Sequence, residues 1–167
     1  MTQERRPPQP TILASLIGGL LRLPDIKGAV EGLVFFLVVL LAGYGLVEVG
    51  ALHYNPIQDR QQISSISLSA WFLPAIPEEL AFRGWLRKRD YFPAAMSLLL
   101  FVAWHPLQVL VHSPFGEAVF LDWRYLAFVF WLGLCCTISR MRSGSIWPSV
   151  VIHWGVVVLW KALFDGG

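Results

Sequence analysis

The stretch PEELAFRG, Pro77–Gly84, carries two adjacent carboxylates and an arginine at the end of an apolar run. Charges of this kind are costly in a membrane helix, so they usually lie in a protein interior or a water-filled cavity and mark function. The rest of the chain is therefore interpreted as a scaffold around Glu78, Glu79 and Arg83.

The composition indicates a membrane protein. Of the 167 residues, 56% are hydrophobic and 14% are charged, and the mean hydropathy is +0.58, whereas a soluble domain has about 25% charged residues. These values predict an all-α, polytopic transmembrane bundle whose first partner is the lipid bilayer. The length allows several spans of about 20 residues each, so any active site must be built from the helices. The net charge of +2 gives no support for a nucleic-acid partner.

Five apolar segments are predicted to span the membrane. The second is the weakest, because Pro74, Pro77 and four serines interrupt it, and such a broken helix belongs inside a bundle. Residues 140–143 are predicted to form a tight basic turn. The predicted spans are Ala29–Leu52, Ile63–Phe82, Pro93–Val111, Tyr125–Ser139 and Ile146–Phe164.

The amino-terminal part, residues 1–28, is predicted to be a polar, proline-rich tail followed by a short interfacial segment. Its apolar stretch, residues 11–23, also has features of a signal peptide, but no clear cleavage site precedes Arg22. An interfacial helix on the cytoplasmic surface fits at least as well.

The basic residues predict the orientation of the bundle. With five spans and a cytoplasmic amino terminus, ten of the thirteen Lys and Arg residues lie inside. The three residues left outside are Arg60, Arg124 and Lys161. This topology places Glu78 and Glu79 near the cytoplasmic end of the second span.

The spacing of the charged residues predicts different roles for the two carboxylates. On a helix, Glu79 and Arg83 are four residues apart and can form an ion pair on one face. Glu78 and Glu79 are about 100° apart around the helix axis, so they are not expected to face the same partner. Glu78 shares its face with Phe82 and Trp85, an environment suited to a general base. A purely structural ion pair at a helix end accounts for the same residues.

Two histidines lie deep in apolar runs, His105 in the third span and His153 in the fifth. A lone histidine on an apolar face is usually a packing residue, but two of them with a glutamate pair on three spans favour a site. His53 and His112 fall in loops and are interpreted as surface residues. The adjacent Cys135 and Cys136 lack metal-ligand spacing and are interpreted as packing residues.

Three motifs together resemble the CAAX protease and bacteriocin-processing family of intramembrane proteases, also called CPBP or Abi. They are EELAFRG at 78–84, F-x-x-x-H at 101–105, and GSIWPS at 144–149 followed by His153. The resemblance covers about residues 68–160 and implies a four-helix protease core within residues 63–167, preceded by the first helix and loop at 29–62.

The resemblance implies an intramembrane endopeptidase that cleaves a peptide or a prenylated protein near the cytoplasmic face. Glu78 would activate water with help from His105, and His153 would polarise the scissile carbonyl. Glu79 and Arg83 would support them.

The family has been described both as glutamate proteases without metal and as metalloproteases. If the protein is a metalloprotease, Glu78, His105 and His153 would be the zinc ligands. Neither histidine lies in a short zinc-binding motif such as H-E-x-x-H. The favoured prediction is therefore a mechanism that requires no cofactor.

The chain departs from the family pattern at Val157, where an asparagine normally follows the last histidine by four residues. Loss of an oxyanion donor costs about 2.7–4 kcal/mol in well-studied hydrolases. The alternative is therefore a non-catalytic pseudoprotease that binds or assembles a membrane partner. A small transporter with a proton relay is disfavoured, because the polar residues gather toward one end of the bundle.

Overall fold

The structure is a computed structural model that describes residues 11–164. The predicted polar tail, residues 1–10, lies outside the described residues. Every regular element within residues 11–164 is helical, which confirms the predicted all-α bundle. The α-helices are α1 (Ile12–Leu21), α2 (Ile26–Glu48), α3 (Arg60–Ala70), α4 (Ile76–Glu79), α5 (Tyr91–Leu110), α6 (Trp123–Ser143) and α7 (Trp147–Phe164).

Four of these helices, α2, α5, α6 and α7, are long and apolar enough to cross a membrane. They correspond to the first, third, fourth and fifth predicted spans, with ends that differ by a few residues. Together with the composition, they make the chain an integral membrane protein.

The predicted second span is not one continuous helix. It consists of α3, a π-helical turn at Trp71–Ala75, the short α4, and a second π-helical turn at Leu80–Gly84. At Leu73 the backbone leaves the helical region, with φ −150° and ψ 109°. A residue that precedes proline is sterically pushed out of the α region, so Pro74 explains why the helix breaks there.

Helix α6 lies at the centre of the bundle and packs against α2, α5 and α7. Cys135 and Cys136 are buried between α6 and its neighbours, as predicted, in a cluster that includes Val39 of α2 and Ile152 of α7. Apolar side chains of α5 and α6 form a second cluster around Phe101.

The prediction of a basic turn at residues 140–143 was wrong. Helix α6 continues to Ser143, and the chain turns at Gly144, which has a φ of +70°. Glycine adopts this left-handed conformation at a helix end without the steric cost that other residues carry. Arg140 consequently lies on the last helical turn, buried against other elements.

Helix α1 is docked on the bundle, with Gly19 as its buried contact residue. Two backbone carbonyls of α1 accept hydrogen bonds from residues around the start of α7: Gly19 O from the amide of Ile146 at 3.0 Å, and Leu20 O from the indole of Trp147 at 2.8 Å. The exposed apolar residues of α1 are Ile12, Leu13, Ile17 and Leu21.

Basic residues gather at the end of the bundle where α5 begins and α6 ends. Five of them border a single groove: Arg22, Lys27, Lys88, Arg89 and Arg142. This common location agrees with the sidedness predicted from the loops. The cytoplasmic assignment of the amino terminus stays a prediction.

Candidate active site

The short helix α4 and the second π turn carry the charged motif. Glu78 and Glu79 close α4, and Arg83 lies in the π turn. Single π turns are rare in helices and occur frequently at functional sites. The proline-broken segment thus brings three charged residues into the centre of the bundle.

Glu79 and Arg83 form the predicted ion pair. Arg83 Nη1 donates to Glu79 Oε1 at 2.8 Å, and both side chains are fully buried. The guanidinium also lies 3.8 Å from the centre of the Phe101 ring and approaches Thr137 Oγ1 and Gly133 O at 3.5 Å each. A buried charge is tolerated when it is paired and hydrogen-bonded in this way.

His153 lies between the two carboxylates. Its Nδ1 is 3.0 Å from Glu79 Oε1, and its Nε2 is 3.9 Å from Glu78 Oε2. The expectation that the two glutamates face different partners was therefore wrong. The imidazole has nitrogens on two edges, so one ring inserted from α7 approaches both carboxylates although they diverge around their helix.

Glu78 is the more exposed of the two carboxylates, with a side-chain exposure of 14% against 0% for Glu79. Its Oε1 accepts a hydrogen bond from the indole Nε1 of Trp104 at 3.1 Å. Its Oε2 is buried and has no hydrogen-bond partner among the described residues. One oxygen is thus held by the protein while the other is available for a further ligand such as water.

His105 lies on the other side of Phe101. The Phe101 ring packs edge-on against both His105 and His153, with centroid distances of 5.0 Å and 5.7 Å. His105 Nδ1 is 2.9 Å from Phe101 O, and because a carbonyl can only accept, this nitrogen must donate. In the neutral ring, Nε2 then carries the lone pair and is an acceptor.

The three residues proposed as zinc ligands do not form a metal site in this arrangement. Zinc is bound by nitrogen and oxygen ligands at about 2.0–2.2 Å, which requires the donors to converge. Within residues 11–164, no group of three or more His, Cys, Asp or Glu side chains is arranged to hold one ion. The predicted metal-free mechanism stays a prediction.

Sequence reasoning missed several residues around the site. Trp104 contacts Glu78 and Thr137 contacts Arg83, but neither belongs to a motif. Phe101 belongs to the F-x-x-x-H motif, but its contact with Arg83 was not predicted. The available signal was helical spacing. Trp104 and His105 follow Phe101 by three and four residues on α5, so both lie about one turn from it. Because most residues of a membrane helix are apolar, the hydrophobic pattern does not show which of them contact the site.

Trp154 and Ser149 carry the kind of hydrogen-bond donor that the missing asparagine would supply, and the Ser149 side chain lies beside Glu79. The Trp154 indole donates to Ser67 O at 2.8 Å, and the Ser149 hydroxyl donates to Ile146 O at 2.8 Å. Val157 lies one turn after His153, is half-buried, and has no hydrogen-bonding group. His53 and His112 are exposed, as predicted.

Membrane-spanning helices around a buried cluster of glutamate, arginine and histidine define a polytopic membrane protein with an intramembrane ionisable site. The model of the family described as Type II CAAX prenyl endopeptidase Rce1-like matches residues 60–159, more than half of the chain. The chain belongs to this family, which confirms the resemblance seen in the motifs and supports CAAX-type endopeptidase activity at the family level. Curated proteins and solved structures gave no match.

Proposed function

We propose that the protein is an intramembrane endopeptidase in which Glu78 activates the attacking water. The observation that carries this proposal is the buried, unpartnered Oε2 of Glu78, 3.9 Å from His153 Nε2. That separation is too long for a hydrogen bond, but one water can contact both atoms. The site would lie near the cytoplasmic face, with the amino terminus on that side.

In the proposed reaction, the water oxygen attacks the scissile carbonyl while Glu78 Oε2 accepts a water proton. The tetrahedral intermediate then collapses, the C–N bond breaks, and Glu78 returns the proton to the leaving amine. The products are a new carboxylate and a new amino terminus. General-base catalysis of this kind contributes about 10²–10⁴-fold to the rate.

His153 would stabilise the oxyanion. Because its Nδ1–H is directed to Glu79 Oε1, the donor for the oxyanion is the Nε2–H of the imidazolium form. Glu79, held by Arg83, fixes the orientation of the ring. His105 would assist Glu78 in activating the water, as the family resemblance implies.

Family membership supports a peptide substrate, and we propose a prenylated protein tail as its class. The test combines two measurements. Cleavage of a farnesylated CAAX peptide by the purified protein is followed in detergent, and all protein termini are compared in membranes of cells that make the wild type or Glu78→Gln at equal levels.

We expect Glu78→Gln to lower kcat/KM by at least 10²-fold and to remove the new termini. Glu48→Gln is the matched control, because Glu48 is an exposed carboxylate at the end of α2, and it should cleave like the wild type. Activity that persists in a strong zinc chelator would support the metal-free mechanism, and its loss would support a metalloprotease.

The alternative is a pseudoprotease that binds a membrane partner. The observation that favours it is Val157, which offers no donor one turn after His153. This alternative predicts no cleavage by the wild type and a Glu78→Gln variant that retains the biological function.

A further inference from the structure

A groove of about 770 Å³ lies between α2 and α5, with α6 as its floor, at the basic end of the bundle. Its walls and floor are largely apolar, and it is separate from the carboxylates of the candidate active site. The apolar lining residues are Ala94, Ala95 and Leu98 of α5 and Leu134, Ile138 and Met141 of α6.

The rim of the groove is strongly basic. Five cations border it against two carboxylates, and the cations come from three different parts of the chain. Arg22 and Lys27 flank the start of α2, Lys88 and Arg89 precede α5, and Arg142 lies on α6.

Both carboxylates of the rim already have partners. Asp25 Oδ1 accepts from the amide of Gly28 at 2.8 Å and thereby caps α2. Glu31 is held by Arg142 through two bonds, at 2.9 Å and 2.6 Å. Glu31 thereby offsets Arg142, and the five cations against two carboxylates leave the rim with a net charge of +3.

The other four cations, Arg22, Lys27, Lys88 and Arg89, are all exposed. None of them forms an ion pair with a carboxylate within residues 11–164. Two of them converge at the turn after α6, since an added Cβ on Gly144 would lie 3.3 Å from Arg22 Nη1 and 3.7 Å from Lys88 Cε. The rim thus concentrates net positive charge above an apolar groove.

We propose that this groove binds an anionic phospholipid, with the headgroup phosphate at the four cations and an acyl chain against α5 and α6. Basic pockets between transmembrane helices bind acidic lipid headgroups by this combination of charge and apolar surface. The groove opens beside exposed apolar residues of the spanning helices, such as Leu99 of α5, where lipid chains are the surrounding solvent.

The apolar lining distinguishes a lipid from other anions. Inorganic phosphate would satisfy the rim but leave the lining uncovered. An acidic peptide would place its backbone amides against a largely apolar surface that offers them few hydrogen bonds, which is costly. The proposal concerns lipid binding and is independent of the proposed endopeptidase activity.

The test is lipid binding to the purified full chain in detergent micelles, measured by native mass spectrometry. Dioleoyl-phosphatidylglycerol is titrated against dioleoyl-phosphatidylcholine, which has the same chains and a neutral headgroup. We expect the anionic lipid to bind at least tenfold more tightly. This comparison tests the proposal on the wild type without any variant.

Two kinds of variant locate the site. Each cation near a headgroup is worth about fivefold in binding, so Arg22→Gln should weaken phosphatidylglycerol binding about fivefold and Lys88→Gln/Arg89→Gln roughly 25-fold. Arg60→Gln removes an equally exposed arginine outside the groove and should change nothing. Ala95→Trp fills the apolar lining without changing charge and should weaken binding at least fivefold.

Four results would overturn the proposal. They are equal binding of both lipids, equal effects of Arg22→Gln and Arg60→Gln, displacement of the lipid by inorganic phosphate at the same concentration, and displacement by an octaglutamate peptide at that concentration. The third would identify free phosphate as the ligand and the fourth an acidic peptide. Because the readout is binding, each of these results leaves the endopeptidase proposal unchanged.

Discussion

Arg83 and Arg140 are both buried at the same end of the bundle, and they are held in different ways. Arg83 is paired with the carboxylate of Glu79 and stacked on Phe101. The hydrogen bonds of Arg140 go to oxygens of uncharged groups. Its Nε donates to Arg83 O at 3.2 Å, and its Nη2 donates to Gly84 O and Ser15 O at 3.1 Å each.

The difference separates two uses of a buried guanidinium. The ion pair of Arg83 sets the charge and position of groups that would do chemistry. Arg140 presents the same planar set of donors to backbone from α1 and from the second π turn, and so fastens both to α6. We infer that Arg140 is a positioning residue, because it contacts the turn that carries Arg83.

The largest effect is expected when the ion pair is broken on one side. Arg83→Met leaves Glu79 with His153 as its remaining partner, and removing one side of a buried ion pair typically costs about 3–5 kcal/mol of stability. The measurement is the free energy of unfolding in detergent, with denaturant titrated.

The matched control is the double variant Glu79→Gln/Arg83→Met, which removes the buried charge while the introduced amide carbonyl still accepts from His153. We expect it to recover most of the lost stability and to remain inactive. If the single variant Arg83→Met loses less than about 1 kcal/mol, well below the cost of an unpaired buried charge, Glu79 is not buried as an anion.

A smaller effect is expected at Arg140. Arg140→Met removes this donor from two carbonyls of the π turn and one of α1. Arg83 O keeps its bond from the amide of Leu86 at 3.1 Å, whereas a carbonyl that is left buried and unsatisfied costs about 1–3 kcal/mol. We expect a loss of about 3 kcal/mol and faster proteolysis in the connection between α1 and α2, residues 22–25.

The variant Arg140→Lys separates the effect of the guanidinium's donor geometry from the effect of its positive charge. Lysine keeps the positive charge but lacks the planar fork of donors, so it should restore only part of the stability. If proteolysis at residues 22–25 is unchanged in Arg140→Met, α1 is not fastened by this residue.

The ion pair of Arg83 was predicted from the sequence, whereas the contacts of Arg140 were not, and the difference has a physical reason. Arg83 follows Glu79 at helical spacing, and its pairing is local in the chain. The contacts of Arg140 join residues far apart in sequence, and they depend on α6 continuing to Gly144. The same limit hid Trp104 from prediction, because its bond to Glu78 crosses between two elements, one of which is broken by proline.

The bundle itself was largely predictable, since four long apolar helices follow directly from hydropathy. The second span was predicted as interrupted, but its π turns were not. A π turn depends on how α4 packs against its neighbours, and no local composition signals it. The ring of His153 was not expected to approach both Glu78 and Glu79, because spacing along one helix does not show that a ring from α7 lies between them.

A packing change near Arg83 is expected to have an intermediate effect. An added Cβ on Gly133 would lie 2.7–3.0 Å from atoms of Leu98, Phe101 and Arg83. Overpacking of this kind costs about 1–3 kcal/mol, so Gly133→Ala should reduce both stability and cleavage by displacing the guanidinium. Gly45→Ala is the control.

Gly45 lies in α2 with no atom within 4 Å of an added Cβ. Replacing glycine by alanine at such a helical position stabilises by roughly 0.4–1 kcal/mol, because the unfolded chain loses freedom. If Gly133→Ala lowers the free energy of unfolding and Gly45→Ala raises it, steric contact and not helix propensity decides the result at Gly133. A neutral Gly133→Ala would show that Arg83 has room to move.

The smallest effect is expected at an arginine two residues beyond Arg140 on the same helix. Arg142 is more than half exposed, with a side-chain exposure of 56%, and it pairs with Glu31 of α2 at 2.6 Å. Exposed ion pairs contribute about 0.2–1 kcal/mol, so Arg142→Gln should cost no more than that.

The double-mutant cycle with Glu31→Gln measures the coupling in the same unfolding assay, in low and high salt. A coupling that falls with added salt is the expected result for a screened surface pair. A coupling above about 2 kcal/mol, beyond the range of exposed pairs, would mean that this pair is also shielded from solvent, and the contrast between buried and exposed arginines at this end of α6 would then no longer hold.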